Sequence, residues 1–183
     1  VSNFAYCSPF PPRSVSQCPS VGTRACRDTV ITRGSYLLMC QMSVRAPAAL
    51  SIEPGVTIYA TETLEPFGAP SIVIEAGAYI SANGTFANPI TLPALDAEGA
   101  AALGIASQMD SYITRNASED VRGRWGGLIL LGQAPISKMG GSNEVEGITR
   151  STIDGQRRRY GGTDPHDSSG LLSDVRLWYG GAV

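Results

Sequence analysis

Short apolar alternations, closely spaced turn residues and one internal repeat together predict an all-β chain wound as a parallel β-helix. Gly (21) and Pro (12) exceed the share of about 12% that these two residues take in an average chain, and a helical bundle would not carry so many chain-turners. The stretch Leu50-Ser-Ile-Glu-Pro-Gly-Val-Thr-Ile58 returns as Ile72-Val-Ile-Glu-Ala-Gly-Ala-Tyr-Ile80, at a spacing of 22 residues. Both follow apolar-x-Ile-Glu-x-Gly-x-x-Ile, and a period of this length is that of one solenoid rung. The two stretches are therefore expected to lie one directly over the other.

Residues 1–45 read as a Cys- and Pro-rich N-terminal arm or cap. They hold all four cysteines, Cys7, Cys18, Cys26 and Cys40, with no C-x-x-C pair, and the chain has only one histidine, His166. Zinc favours short paired spacings or histidine partners, so two disulfides are the better expectation, with all three connectivities open. Irregular chain with few core-forming residues needs such covalent closure to stay ordered. Two N-glycosylation sequons, at Asn83 and Asn116, agree with the oxidising, extracellular location that disulfides imply.

Residues 46–183 read as the solenoid, with an insertion at about 94–124. Leu50, Ile52, Val56 and Ile58 surround a Pro54-Gly55 turn; Ile72, Ile74, Ile80, Ile90 and Leu92 follow. The insertion is Ala-rich, and Asp96 is placed to cap a short helix or open a long side loop. Trp125 to Gly132 reads as a buried strand, Val145 and Ile148 flank Gly147, and the last apolar run is Leu171, Leu172, Val175, Leu177 and Tyr179.

A net charge of -2 argues against a nucleic-acid partner bound by bulk electrostatics. The longest apolar run, Leu128 to Leu131, is far below the roughly 20 residues of a membrane helix, so no membrane insertion is expected. The chain begins at Val1 with no charged and apolar leader, as if a signal peptide were already removed or not included.

The densest polar cluster is Asp164, His166, Asp167, Ser168 and Ser169, with Asp174 soon after. Asp164, Asp167 and Asp174 suit a hard cation such as calcium, the one cofactor the sequence suggests. The plainer reading is a polar turn whose side chains bond their own backbone. Glu144 and Glu146, with Asp164 and Asp167, resemble the acid pair of a sugar-cleaving enzyme, and alternation would put the two glutamates on one side of a strand. Acids on strand exteriors are commonplace, so no residue is expected to be catalytic. Arg157, Arg158 and Arg159 form a basic run suited to anionic glycans, or simply to solvent. Trp125 and Trp178 beside Tyr179 suit sugar stacking, or packing at strand ends.

Ile72 to Thr85 followed by Asn88-Pro-Ile90, then Arg124 to Ile136, then Tyr160 to Gly170 with Leu172 to Gly180, resembles the rungs of extracellular right-handed parallel β-helix proteins. The likeness covers about residues 48–183, with an insertion before Trp125 as in that family. It implies a right-handed solenoid in a secreted or surface-anchored protein, mostly of unassigned activity, in which the helix normally runs on for further coils.

A solenoid end presents unpaired backbone groups and needs a cap, more chain or a neighbour. Val175, Leu177, Tyr179 and Val183 form a strand-like run with no polar cap after it, and are expected to contact another subunit unless further chain covers them. The expectation is a structural extracellular protein, without enzyme activity, assembling as a glycosylated fibre or surface-layer subunit, head-to-tail through its solenoid ends, or through the Pro-rich N-terminal arm added as a strand to a neighbour, or both. The alternatives are a carbohydrate-binding or adhesive module and, behind it, a polysaccharide lyase or hydrolase.

Overall fold

The computed structural model describes residues 3–5, 28–39, 41–62, 69–107, 122–146 and 159–182. Its strands are β1 (Asn3–Ala5), β2 (Thr29–Ile31), β3 (Ser35–Leu38), β4 (Met42–Val44), β5 (Ala49–Ile52), β6 (Thr57–Ala60), β7 (Ser71–Ile74), β8 (Tyr79–Asn83), β9 (Ile90–Leu92), β10 (Gly127–Leu130), β11 (Asn143–Glu144), β12 (Arg159–Tyr160), β13 (Gly170–Ser173) and β14 (Val175–Leu177). One helix, α1 (Ala97–Leu103), stands between β9 and β10.

The strands stack in three parallel ladders, β2-β5-β8-β13, β1-β3-β6-β9-β14 and β4-β7-β10. Successive strands move to successive ladders, so β2-β3-β4, β5-β6-β7 and β8-β9-β10 are three coils, and β13-β14 begins a fourth. This is a parallel β-helix. Alternation places every second side chain inside, and the pairing lines these up in columns. Ile31, Ile52, Ala82 and Leu172 form one column; Met42, Ile72 and Leu128 another; Val44, Ile74 and Leu130 a third. Leu50, Ile72, Ile74, Ile80, Ile90 and Leu92 are fully enclosed, each contributing about 1.5–3 kcal/mol by burial.

The solenoid starts earlier than the sequence suggested. β2, β3 and β4 fall within the stretch read as an arm, yet they pair in parallel register with β5, β6 and β7. The boundary drawn at residue 46 therefore cuts between two coils. The cysteines lie outside the described residues.

The internal repeat also has a different meaning from the one expected. Leu50 pairs with Ile80, not Ile72, because the first stretch supplies β5 and β6 whereas the second supplies β7 and β8. The repeat is a corner, used at two different edges of the prism. In both copies the Glu N–H donates to the coil beneath, Glu53 to Ile31 O at 3.0 Å and Glu75 to Val44 O at 2.9 Å. In both, the Glu carbonyl accepts from the third residue on, Val56 or Ala78, and the glycine between has positive φ, +79° at Gly55 and +82° at Gly77. That is the signature of a type II turn, which requires φ > 0 at its third position.

Of the insertion, residues 94–107 and 122–124 are among those described, and they include a short helix. The chain leaves the ladder at Ala94, which bridges Ala60, and re-enters at Trp125, which bridges Gly180. Asp96 caps α1 by accepting from Gly99 N at 2.7 Å, and Gly104 closes it with φ 72°. The helix lies on the outer side of the β3-β6 ladder, burying Leu37 with Leu95, Ala100, Leu103 and Ile105. Gly99 is required there, since a Cβ would stand 2.4 Å from the Tyr59 ring. On another flank the antiparallel pair β11-β12 folds over the β7-β10 ladder, packing Val145 and Tyr160 against Val73 and Leu131.

Candidate functional site

The Asp/Ser cluster folds as a polar turn that ties two chain segments together. Gly161 N donates to Gly132 O at 2.8 Å and Asp164 N to Gln133 O at 3.2 Å. Asp164 Oδ1 accepts from His166 N at 2.9 Å, and Asp167 Oδ2 accepts from Gln133 N at 2.8 Å. The segments approach so closely that a Cβ on Gly162 would stand 2.4 Å from Gln133 O. Asp174 sits apart, at the corner between β13 and β14 with φ 47°, where its carbonyl accepts from Ile90 N at 3.0 Å. No group of three or more His, Cys, Asp or Glu able to hold a metal ion occurs among the described residues, so the fold does not gather Asp164, Asp167 and Asp174 at one point.

Glu144 and Glu146 do not share a strand face. β11 ends at Glu144, and Glu146 lies beyond it in an exposed turn, so strict alternation does not extend that far. Glu144 Oε1 instead faces Arg159 Nε across the hairpin at 4.0 Å, an exposed pair of the kind worth about 0–1 kcal/mol. Arg157 and Arg158 lie outside the described residues. Trp125 is buried and donates from Nε1 to Trp178 O at 2.8 Å, which makes it a packing residue; Trp178 and Tyr179 are exposed.

One charged pair escaped the sequence reading. Glu62 and Arg124 are both buried, with Oε1 and Nε 3.7 Å apart, beside the fully enclosed Thr61. Glu62 follows β6 in the second coil and Arg124 precedes β10 in the third, so only coil stacking brings them together. Arg124 N also donates to Tyr179 O at 2.9 Å, and its Nε and Nη2 are enclosed without a hydrogen bond. The pair clasps the insertion at the point where it rejoins the ladder.

The C-terminal coil is where apolar surface concentrates. Leu172 and Leu177 stand over the enclosed Ala82 and Leu92, yet they are 42% and 45% exposed. Leu130, over Ile74, is 41% exposed. All three point inward, in line with the enclosed columns of the coil beneath. The first coil differs: its inward Ile31, Met42 and Val44 are 8%, 8% and 6% exposed. Of the expected contact residues, Leu177 and Tyr179 are exposed, Val175 is half-buried, and Val183 lies outside the described residues. Asn83 is exposed at the end of β8, and Asn116 lies outside the described residues. No helix among the described residues is long and apolar enough to cross a membrane.

Three parallel ladders, glycine corners and an enclosed aliphatic column define a parallel β-helix protein. The family described as "pectate-lyase like beta helix domain" matches residues 23–104 and again residues 96–183. The chain belongs to that family. The description likens the domain to an enzyme without naming a reaction for this chain. No curated protein and no solved structure matches it.

Proposed function

We propose that the chain is a structural, extracellular β-helix unit that self-associates through its C-terminal coil. The observation that carries this reading is apolar exposure on inward positions: Leu130, Leu172 and Leu177 are 41–45% exposed. Apolar side chains so placed gain by being covered, and terminal strands with unpaired edges offer a template for another chain. Sedimentation velocity across a wide concentration range tests the proposal. Association that strengthens with concentration and disappears in Leu172→Asp/Leu177→Asp supports it; a monomer at every concentration defeats it.

A second reading rests on the exposed Trp178 and Tyr179, whose flat faces suit the apolar side of a sugar ring. It makes the chain a carbohydrate-binding or adhesive module. Quenching or enhancement of tryptophan fluorescence by oligosaccharides, lost in Trp178→Ala while the fold is retained, would favour that reading. Neither reading assigns a reaction to the chain. Release of reducing or unsaturated sugar from acidic polysaccharides, abolished in Glu144→Gln, would instead restore the enzyme alternative.

A further inference from the structure

We infer that Asn83 is a latent site of spontaneous deamidation, and that the stacking of β13 and β14 over β8 and β9 keeps the reaction shut off. The inference stands apart from self-association and needs no partner.

The chemistry begins in the sequence. Of the asparagines Asn3, Asn83, Asn88, Asn116 and Asn143, only Asn83 precedes glycine. In deamidation the backbone nitrogen of the next residue loses its proton and attacks the asparagine Cγ. The new N–C bond closes a cyclic succinimide, and the side-chain nitrogen leaves as ammonia. Water then opens the ring on either side, giving aspartate or isoaspartate. A glycine in the second position has no side chain to obstruct the closure. Asn88, by contrast, precedes Pro89, which has no backbone N–H to give up.

The fold both demands this glycine and disarms it. A Cβ on Gly84 would stand 2.7 Å from Asp174 O and 3.0 Å from Ile90 N, so a larger residue does not fit beneath the corner between β13 and β14. Gly84 is buried, and its nitrogen, the nucleophile of the reaction, donates to Ser173 O at 2.9 Å. Asn83 is exposed at the end of β8, in register with Ser173. Water therefore reaches the amide, while the nitrogen that must attack it is held by the coil above. Freeing that buried N–H costs a hydrogen bond, and the extended backbone at Asn83 must also turn before Cγ meets it. The rate at Asn83 thus follows the fraction of molecules in which β13 has parted from β8.

The product makes the opening permanent. Isoaspartate routes the main chain through the former side-chain carbon, which lengthens it by a methylene and carries the Gly84 N–H away from Ser173 O. A coil caught open is then unable to seat again in the same register.

Incubation of the full chain at mildly alkaline pH, with the mass gain of amide-to-acid conversion located by peptide mapping, tests the inference. Asn83 in the folded chain is expected to convert at least about tenfold more slowly than in the urea-unfolded chain. Val175→Gly removes a half-buried β14 side chain packed on the core and is expected to speed conversion at Asn83. Urea below the unfolding transition is expected to do the same without a substitution, and Asn83→Gln to abolish the gain. Equal rates in the folded and unfolded chains overturn the inference. So does a slow folded rate that neither Val175→Gly nor sub-denaturing urea changes, or a mass gain that persists in Asn83→Gln. An N-linked sugar on Asn83 overturns it as well, since the amide nitrogen is then already committed.

Discussion

Leu50 lies beside Ile80 in the parallel ladder, although its counterpart in the sequence repeat is Ile72. Similarity along the chain and adjacency in space therefore follow different rules here. What repeats is the bend between two strands, with its glutamate reaching back to the coil beneath: Glu53 Oε2 accepts from Arg33 N at 3.0 Å, and Glu75 Oε2 faces Arg45 Nε at 3.5 Å. Each bend can serve at any edge of the prism because every edge asks for the same reversal.

Replacing the glycine of either bend by alanine forces an L-residue into positive φ, at about 1–2 kcal/mol. Gly77→Ala is expected to cost more than Gly55→Ala. Its Cβ would stand 3.0 Å from Gln133 Nε2 and 3.3 Å from Ala46 Cβ, whereas at Gly55 the nearest atom is the flexible Arg33 Nε at 3.1 Å. Urea unfolding midpoints at constant m-value rank the two.

Arg124→Met is expected to destabilise the chain by about 3 kcal/mol, because it removes a buried cation 3.7 Å from the enclosed Glu62 Oε1. Adding Glu62→Leu to that variant is expected to recover part of the loss, and a double-mutant cycle by denaturant unfolding measures the coupling. Strictly additive effects would mean the two side chains act independently.

Tyr59 holds its proton above the ordinary value of 10.0, through burial under α1 first and then the nearby carboxylates of Asp96 and Glu98. A phenol that ionises less readily when folded contributes stability that is whole below about pH 10 and is lost as pH rises through its folded value. Stability is thus expected to fall at alkaline pH, and less steeply in Tyr59→Phe. Thermal melts of both proteins from neutral to strongly alkaline pH check the difference.

Asp167→Ala removes the acceptor of Gln133 N and is expected to cost about 1–2 kcal/mol while loosening the turn against Gly132. Calcium or a chelator is expected to leave the melting temperature of either protein unchanged, since Asp164 and Asp167 already accept from backbone N–H groups. A calcium-induced rise that vanishes in Asp167→Ala would reinstate the ion site.

Local devices could be read from the residues alone. The Glu-x-Gly bends, the Asp96 cap and the exit and return of the insertion each depend on a few neighbours in sequence, and each is found where its residues stand. The coil boundary was harder. β2, β3 and β4 are short and set among cysteines and the Arg33-Gly34 bend, so their inward Ile31, Met42 and Val44 show little periodicity until a second coil lies over them. Glu62 and Arg124 carry no local signal at all, because a long excursion separates them and only stacking joins them. The apolar run of the C-terminal coil was visible, but how far each of its side chains is exposed is a property of burial, which residue order does not encode.

The chain departs from the ladder at Ala94 and resumes it at Trp125 without shifting the strands on either side, since β9 and β10 both stay in register with the coil below. The helix α1, which follows Ala94, lies on the outer flank of the prism. This edge is accordingly a natural docking port for engineering: a peptide tag or small folded passenger grafted beyond α1 would ride outside the stack without being asked to fit inside it.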